Sequence, residues 1–181
     1  MIIRRARIED STSIARVHVD SWRSTYAGLL PEDMLLRLSS TKHEARWWQQ
    51  VLGRIRRRHY IYVAEDEADG VVGFISGGPS RDRELDQQGE IYALYLLDEY
   101  HGAGAGKALF FRLAQKLRRE CGGSLSVWVL AGNPSRFFYE AIGGKRIAIR
   151  TERLGDEDVQ EIAYGWGDVD ELVAPSRPDQ A

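Results

Sequence analysis

The sequence predicts an α+β fold, with a single sheet of about seven strands flanked by helices. Three observations lead there. Short β-rich segments alternate with amphipathic helical patterns in the order β, helices, β, β, β, helix, β, helix, β, β. Two pairs of strands are joined by tight turn signals, Asp69-Gly70 and Gly155-Asp156-Glu157-Asp158, which mark hairpins. One strand, residues 90–97, runs into a glycine turn at residues 102–106, and a helical pattern follows at once.

Residues 2–8 are short and β-compatible and read as an edge strand. Asp10 or Ser11 can cap the next helix, where Ile14, Val17, Trp22 and Tyr26 recur at helical spacing. Gly28 and Pro31 close that segment, and residues 31–38 make a second short helix with proline in its first turn. Thr41-x-x-Glu44 is a capping-box signature for a third helix, in which Ala45, Trp48, Leu52 and Ile55 share a face. Arg54, Arg56, Arg57 and Arg58 form its basic end, which reads as a solvated helix terminus, with binding of phosphate or an acidic partner as the alternative. Residues 60–65 and 71–76 are the first hairpin, and the polar loop 79–88 leads to the strand at 90–97. The helix after the glycine turn runs from about residue 104 to 120, with Leu109, Leu113 and Leu117 along one stripe, and Gly122-Gly123 stops it. Residues 125–130 are a compact buried-strand run. Asn133 is placed to cap a short helix with Pro134 at its first position, and Gly143-Gly144 ends it. Residues 145–154 and 160–166 are the closing hairpin. Residues 1–168 therefore read as one domain and residues 169–181 as a polar tail.

Composition narrows the function. With 181 residues, 43% hydrophobic and 29% charged, the chain has the makings of one globular core. A net charge of −2 gives no reason to expect nucleic acid. The single cysteine, Cys121, excludes a disulfide framework and a cysteine-rich zinc site, and no metal-ligand spacing is present. No apolar run approaches the ~20 residues needed to span a bilayer, and the N-terminus lacks a signal-peptide pattern. The expectation is a soluble cytoplasmic protein that contacts neither membrane nor nucleic acid.

A glycine turn at a helix N-terminus gathers backbone N–H groups into an anion site. Two common anion loops fail on spacing. A Walker A loop needs glycine where His101 stands and a hydroxyl where Ala108 stands. The dinucleotide pattern begun at Gly102 needs glycine where Lys107 stands. The stretch instead resembles the pyrophosphate loop of GCN5-related N-acetyltransferases, Q/R-x-x-G-x-G/A, with His101, Gly104 and Gly106 on the marked positions and His101 departing from the usual Gln or Arg. Downstream, Asn133-Pro-Ser-Arg-Phe-Phe-Tyr139 looks like the N-x-x-x-x-F-Y segment of that family, and the closing hairpin follows in order. The resemblance covers roughly residues 2–166; Gly143-Gly144 replaces the Gly-Phe of many members.

The resemblance implies a GNAT fold with a mixed sheet, and transfer of an acetyl group from acetyl-CoA to an amine of a small molecule or peptide by direct attack. A non-catalytic acyl-CoA sensor with the same fold is the alternative. Amides from His101 through Gly102, Ala103, Gly104, Ala105, Gly106 and Lys107 would cradle the pyrophosphate. The main chain at Leu96 and Leu97 would pair with the pantetheine arm, Leu94 or Tyr95 would lie nearest the thioester, and Asn133 would also bond the arm. Tyr139 would be the general acid for the departing thiolate. Glu90 is the candidate base, and an exposed strand-end charge is the competing reading. Alternation along the strand puts Glu90, Tyr92, Leu94 and Leu96 on one face. Trp22, Tyr26 and Tyr92 are candidate acceptor-binding residues, with Trp47, Trp48, Asp20 and Glu32 nearby; aromatics and carboxylates suit a cationic amine. The family is often dimeric, which leaves a homodimer open.

Overall fold

The computed structural model describes residues 1–26, 41–53, 58–154 and 157–167, and of residues 41–43 and 154 it describes the main chain only. The helix expected at residues 31–38, the arginines at 54, 56 and 57, Glu32 and the tail lie outside the described residues.

Strand β1 (Ile2–Arg5) leads through one 3-10 turn into α1 (Ser11–Tyr26), and α2 (Thr41–Gly53) follows. Three strands come next: β2 (Tyr60–Asp66), β3 (Gly70–Pro79) and β4 (Gly89–Leu96). A second 3-10 turn (Asp98–Tyr100) separates β4 from α3 (Ala105–Cys121). Then come β5 (Leu125–Leu130), α4 (Arg136–Ala141), β6 (Lys145–Leu154) and β7 (Glu157–Trp166). The strands form one seven-stranded sheet in the order β1-β2-β3-β4-β5-β7-β6. Only β4 and β5 run parallel; the other neighbours are antiparallel.

The period of two along β2 feeds two cores on opposite faces, and β3, whose alternation is shifted by an extra residue at Val72, feeds the same two. Tyr62, Ala64, Val72 and Ile75 pack with Leu109, Phe110, Leu113, Ala114 and Leu117 of α3. Ile61, Val63, Val71 and Phe74 pack with Ile14, Ala15 and Val17 of α1 and with Trp48 and Leu52 of α2. Trp48 is 2% exposed, so it is a core residue rather than part of an acceptor pocket, while Trp47 stands on the outside at 49%. The Glu44 carboxylate lies 3.2 Å from His18 Nδ1, which joins the two helices.

Strand β4 carries the irregularity that shapes the molecule. Gly77 is opposite Ile91, but the preceding Ser76 is opposite Ala93, so Tyr92 is an extra residue. Such a bulge bends its strand and reverses the alternation beyond it. Ile91, Leu94 and Leu96 consequently face the α3 core, Ala93 and Tyr95 face the α1 core, and Leu97 packs against both. The expected single face of Glu90, Tyr92, Leu94 and Leu96 is therefore broken at Tyr92. Pairing of β4 with β5 stops at the same place: the register runs only from Gly89 opposite Leu125 to Ile91 opposite Val127. Beyond it β5 stays with β7 and β4 stays with β3, leaving a wedge between them.

Candidate active site

The wedge exposes one edge of β4. The Leu97 N–H donates to Val72 O at 2.9 Å, so odd-numbered residues there face β3. By alternation Leu94 and Leu96 turn their main-chain groups into the wedge. The Leu96 carbonyl accepts from Ser21 Oγ at 3.2 Å and lies 3.0 Å from His101 Nε2. Leu97 is a correction: its N–H is taken by Val72, and its carbonyl accepts from the Tyr100 N–H at 3.0 Å, so it has no free edge to offer. The sequence order alone could not tell which of two adjacent residues faces the wedge.

The glycine turn sits at the open end of this edge. Gly102 and Gly104 adopt φ of 76° and 83°, a left-handed backbone that glycine tolerates without strain. A Cβ on either would meet nothing within 4 Å, so the space over the loop is open. Gly104 is the N-cap of α3, and the Ala108 N–H to Gly104 O bond (3.0 Å) is the first of the helix. The amides of Ala105, Gly106 and Lys107 precede that bond and have no carbonyl of their own helix to reach. Together with the helix dipole they form an anion cradle. The His101 imidazole is turned back onto the strand, and the exposed Lys107 ammonium lies 5.7 Å from the Phe111 ring centroid. These residues fit a pyrophosphate: the amides of Ala105, Gly106 and Lys107 have no helical acceptor, and the crowding a Cβ would bring is absent; the His101 N–H, expected as a further donor, is instead taken by Asp98 O at 3.0 Å.

Across the wedge, α1, β4 and the start of α4 bring four polar aromatic or amide groups together. Trp22 Nε1 donates to the Tyr95 hydroxyl at 2.9 Å. The Tyr95 and Tyr26 hydroxyls bond each other, and Asn133 Nδ2 donates to the Tyr26 hydroxyl at 3.3 Å. Asn133 is 4% exposed, and its Oδ1 accepts from the Ser135 N–H at 2.8 Å. It therefore holds the turn ahead of α4, whose first regular residue is Arg136 rather than Pro134. Tyr139 lies on α4, 5% exposed, with rings of Phe138, Tyr164 and Trp166 around it. Burial, with the Tyr26 phenol as a second cause, pushes the Tyr139 phenol well up. Burial likewise raises Tyr95 and Tyr26. The Tyr95 side chain was not among the sequence candidates, because the bulge turns it toward α1 and no local signal marks a bulge.

Glu90 is buried, 3% exposed, not an exposed strand end. Its Oε2 accepts from the Arg81 N–H at 2.7 Å, and its Oε1 accepts from Arg81 Nε at 3.1 Å and from Nη2. The Arg81 guanidinium lies 4.0 Å above the Tyr92 ring, and the Tyr92 hydroxyl donates to Pro79 O at 2.7 Å. Glu90 and Tyr92 line a cleft of about 920 Å³ between the loop 80–88 and strands β5, β6 and β7. Its further walls include Trp128, Arg150 and Glu161. Trp22 and Tyr26 belong to the tyrosine cluster and Tyr92 to this cleft, so the three acceptor candidates divide between two places. Glu161 links them, since it lines the cleft and acts electrostatically on Tyr26.

His18 is half-buried among Trp22, Trp48, Phe74 and Tyr95, and that burial lowers its pKa against the pull of Glu44. Among the described residues no cluster of three or more His, Cys, Asp or Glu side chains is placed to hold a metal ion. No helix among them is long and apolar enough to cross a membrane.

Comparison with known proteins agrees with this geometry. The sequence model of the acetyltransferase (GNAT) family matches residues 17–143. An uncharacterized N-acetyltransferase of Bacillus subtilis (strain 168), YuaI, is 38% identical over 170 residues, covering 94% of this chain and 95% of its own. Two solved structures share the fold. The PaiA N-acetyltransferase of Thermoplasma acidophilum, in complex with coenzyme A, has a TM-score of 0.69 and 22% identity, covering 89% of this chain and 96% of its own. The ribosomal-protein-alanine N-acetyltransferase of Brucella melitensis has a TM-score of 0.70 and 20% identity, covering 92% and 99%.

Proposed function

Because this chain belongs to the acetyltransferase (GNAT) family, and is thus an acetyl-CoA-dependent N-acetyltransferase, we propose that its wedge holds the thioester and that Tyr139 and Glu90 serve the transfer. Bound acetyl-CoA supplies an activated acetyl thioester. The chain supplies the rest. Amides of the turn from Gly102 to Lys107 hold the pyrophosphate, the His101 N–H being taken by Asp98 O, and the Leu94 and Leu96 main chain pairs with the extended arm in the manner of an added strand. The Leu94 N–H is the donor for charge developing on the acyl oxygen.

An alkyl amine with a pKa near 10 arrives protonated, so a proton must leave before nitrogen attacks. Glu90 receives it, directly or through one water, once the incoming ammonium takes the place of the Arg81 guanidinium on Oε1. The C–N bond then forms as the C–S bond breaks, and the acylated nitrogen sheds its second proton to solvent. Tyr139 gives its proton to the departing sulfur and regains one from solvent. A buried phenol whose pKa is raised remains a proton donor throughout the neutral range, which is what this role requires.

The observation that carries this reading is the wedge itself: β4 leaves β5 after Ile91, beside a glycine turn with free amides on one side and Tyr139 on the other. The test is acetyl-CoA with a panel of primary amines, amino acids and peptides, read by release of free thiol. Thiol release that depends on the amine is expected. No release with any amine would remove the reading.

A further inference from the structure

The cleft beside Glu90 twice shows a cation resting on an aromatic ring and paired with carboxylate. Arg81 lies over Tyr92 and bonds Glu90. Arg150 lies 4.1 Å over the Trp128 ring and pairs with Glu161 at 2.7 Å, Asp82 at 3.5 Å and Glu152 at 3.7 Å. A cation over an aromatic face is attracted by the ring quadrupole, and a carboxylate beside it adds to that attraction.

The two partners in these pairs are not equally fixed. The side chains of Glu90, Asp82 and Glu161 are 4%, 17% and 19% exposed, whereas those of Arg81 and Arg150 are 63% and 40% exposed. The anions are built into the wall, and the guanidiniums reach them from the rim. The charges are also uneven. Three carboxylates lie near the one guanidinium of Arg150, and over the lining of the cleft Asp82, Glu84, Glu90 and Glu161 outnumber Arg81, Arg83 and Arg150 by one negative charge. The loop that carries Asp82 is tied at its base by the Ser80 N–H to Gln88 O bond (2.9 Å), so this wall is held in place. The cleft also reaches the transfer site. Glu161 is opposite Leu130, and the neighbouring Gln160 carbonyl accepts from the Ala131 N–H at 2.8 Å, just before Asn133 and the Tyr26 hydroxyl.

On the reading that the wedge transfers an acetyl group, we infer that the acceptor is an amine carrying a second positive charge, and that Asp82, Glu161 and the Trp128 face bind that second charge. One end of the acceptor loses its proton and is acetylated. The other stays cationic, takes no part in bond making, and occupies the place now filled from the rim by Arg150. A neutral tail would leave the carboxylate surplus uncompensated.

The experiment compares 1,4-diaminobutane with butylamine, two acceptors of matched chain length that differ by one charge, reading thiol release. The wild-type kcat/KM is expected to favour the diamine by about 10-fold or more, in keeping with a pair of charge-assisted contacts. Asp82→Asn and Glu161→Gln are each expected to reduce that ratio at least about 3-fold, and raising the salt from about 0.05 to 0.5 M should reduce it too. A coenzyme A-induced rise in melting temperature confirms that each variant is folded. Equal rates for the two amines, or a ratio that survives both substitutions, overturns the inference. Acetylation restricted to uncharged-tail amines also overturns it while leaving acetyl transfer standing. No thiol release with any amine removes both.

Discussion

At the scale of single residues, the proposed chemistry rests on side chains whose surroundings differ from what their positions suggest. Tyr139 sits on a short aromatic helix, and its ring packs like a core residue. Its hydroxyl is the only part that Tyr139→Phe removes, so this change keeps the packing. We expect kcat to fall about a hundredfold, the lower end of what a positioned acid contributes, with coenzyme A affinity unchanged. Burial raises its pKa, so the acid stays protonated past the ordinary tyrosine value of about 10. A pH profile of kcat should therefore show no alkaline fall below about pH 10; an earlier fall that disappears in Tyr139→Phe would contradict the assignment. Glu90 is bound on both oxygens by Arg81, so Glu90→Gln should lower kcat/KM at least about tenfold for the amine and leave the acetyl-CoA KM in place. Equal losses for both substrates would make Glu90 a structural anchor of the 80–88 loop instead. These candidates were legible as residue types at a spacing. The Arg81 clamp was not, because Arg81 lies in a polar loop whose closure depends on the sheet beneath it.

At the scale of elements, the bulge in β4 and the glycine turn do most to make the site. The turn was readable because left-handed backbone conformations select glycine locally. Gly104→Ala keeps open space around the new methyl group but forces it onto φ of 83°. The expected cost is about 1–2 kcal/mol, together with weaker coenzyme A binding as the amides of the cradle shift. Isothermal titration checks the binding, and a variant of unchanged affinity would mean the cradle lies elsewhere. Gly77 faces the bulge, and a Cβ there would stand 2.5 Å from Glu90 O and 2.9 Å from Leu113 Cδ2. Gly77→Ala is therefore an overpacking change against a backbone atom, expected to cost about 1–3 kcal/mol in denaturant melts. The bulge itself left no mark in the sequence. The stretch of residues 90–97 alternates well enough for an unbroken strand, and the extra residue is apparent only once β3 is laid beside it.

At the scale of the whole molecule, one sheet carries separate apolar cores on its two faces, and the wedge opens where the two halves of the sheet part. A ligand lying in that wedge joins both halves. Coenzyme A at a hundred times its Kd should add about 2.7 kcal/mol, and a melting-temperature rise of roughly 5–10 °C for a chain of this size. Added Mg²⁺ should not be needed, since the cradle offers amides rather than a metal-bridging hydroxyl; a shift that requires Mg²⁺ would contradict the pyrophosphate reading. Acid should destabilise the fold through His18, which is neutralised by burial between α1, α2 and the sheet. A histidine of lowered pKa contributes full stability above its ordinary value of about 6.5, and that contribution is lost as pH falls through the folded value. His59, lowered by burial and by Arg81, acts in the same direction. Melts between pH 8 and pH 5 should show the loss, and His18→Gln should flatten it. The sequence by itself determined the elements, their order, the glycine turn and the Asn133–Tyr139 spacing, because each is written in local periodicity and backbone preference. Only the tertiary structure decided which face of β4 each side chain takes, that Leu97 is engaged by β3, that Glu90 is buried against Arg81, and that Trp128 and Glu161 share a cleft with it. Those outcomes depend on register and on contacts between residues distant in the chain, and a single strand carries no record of where its neighbour stops pairing.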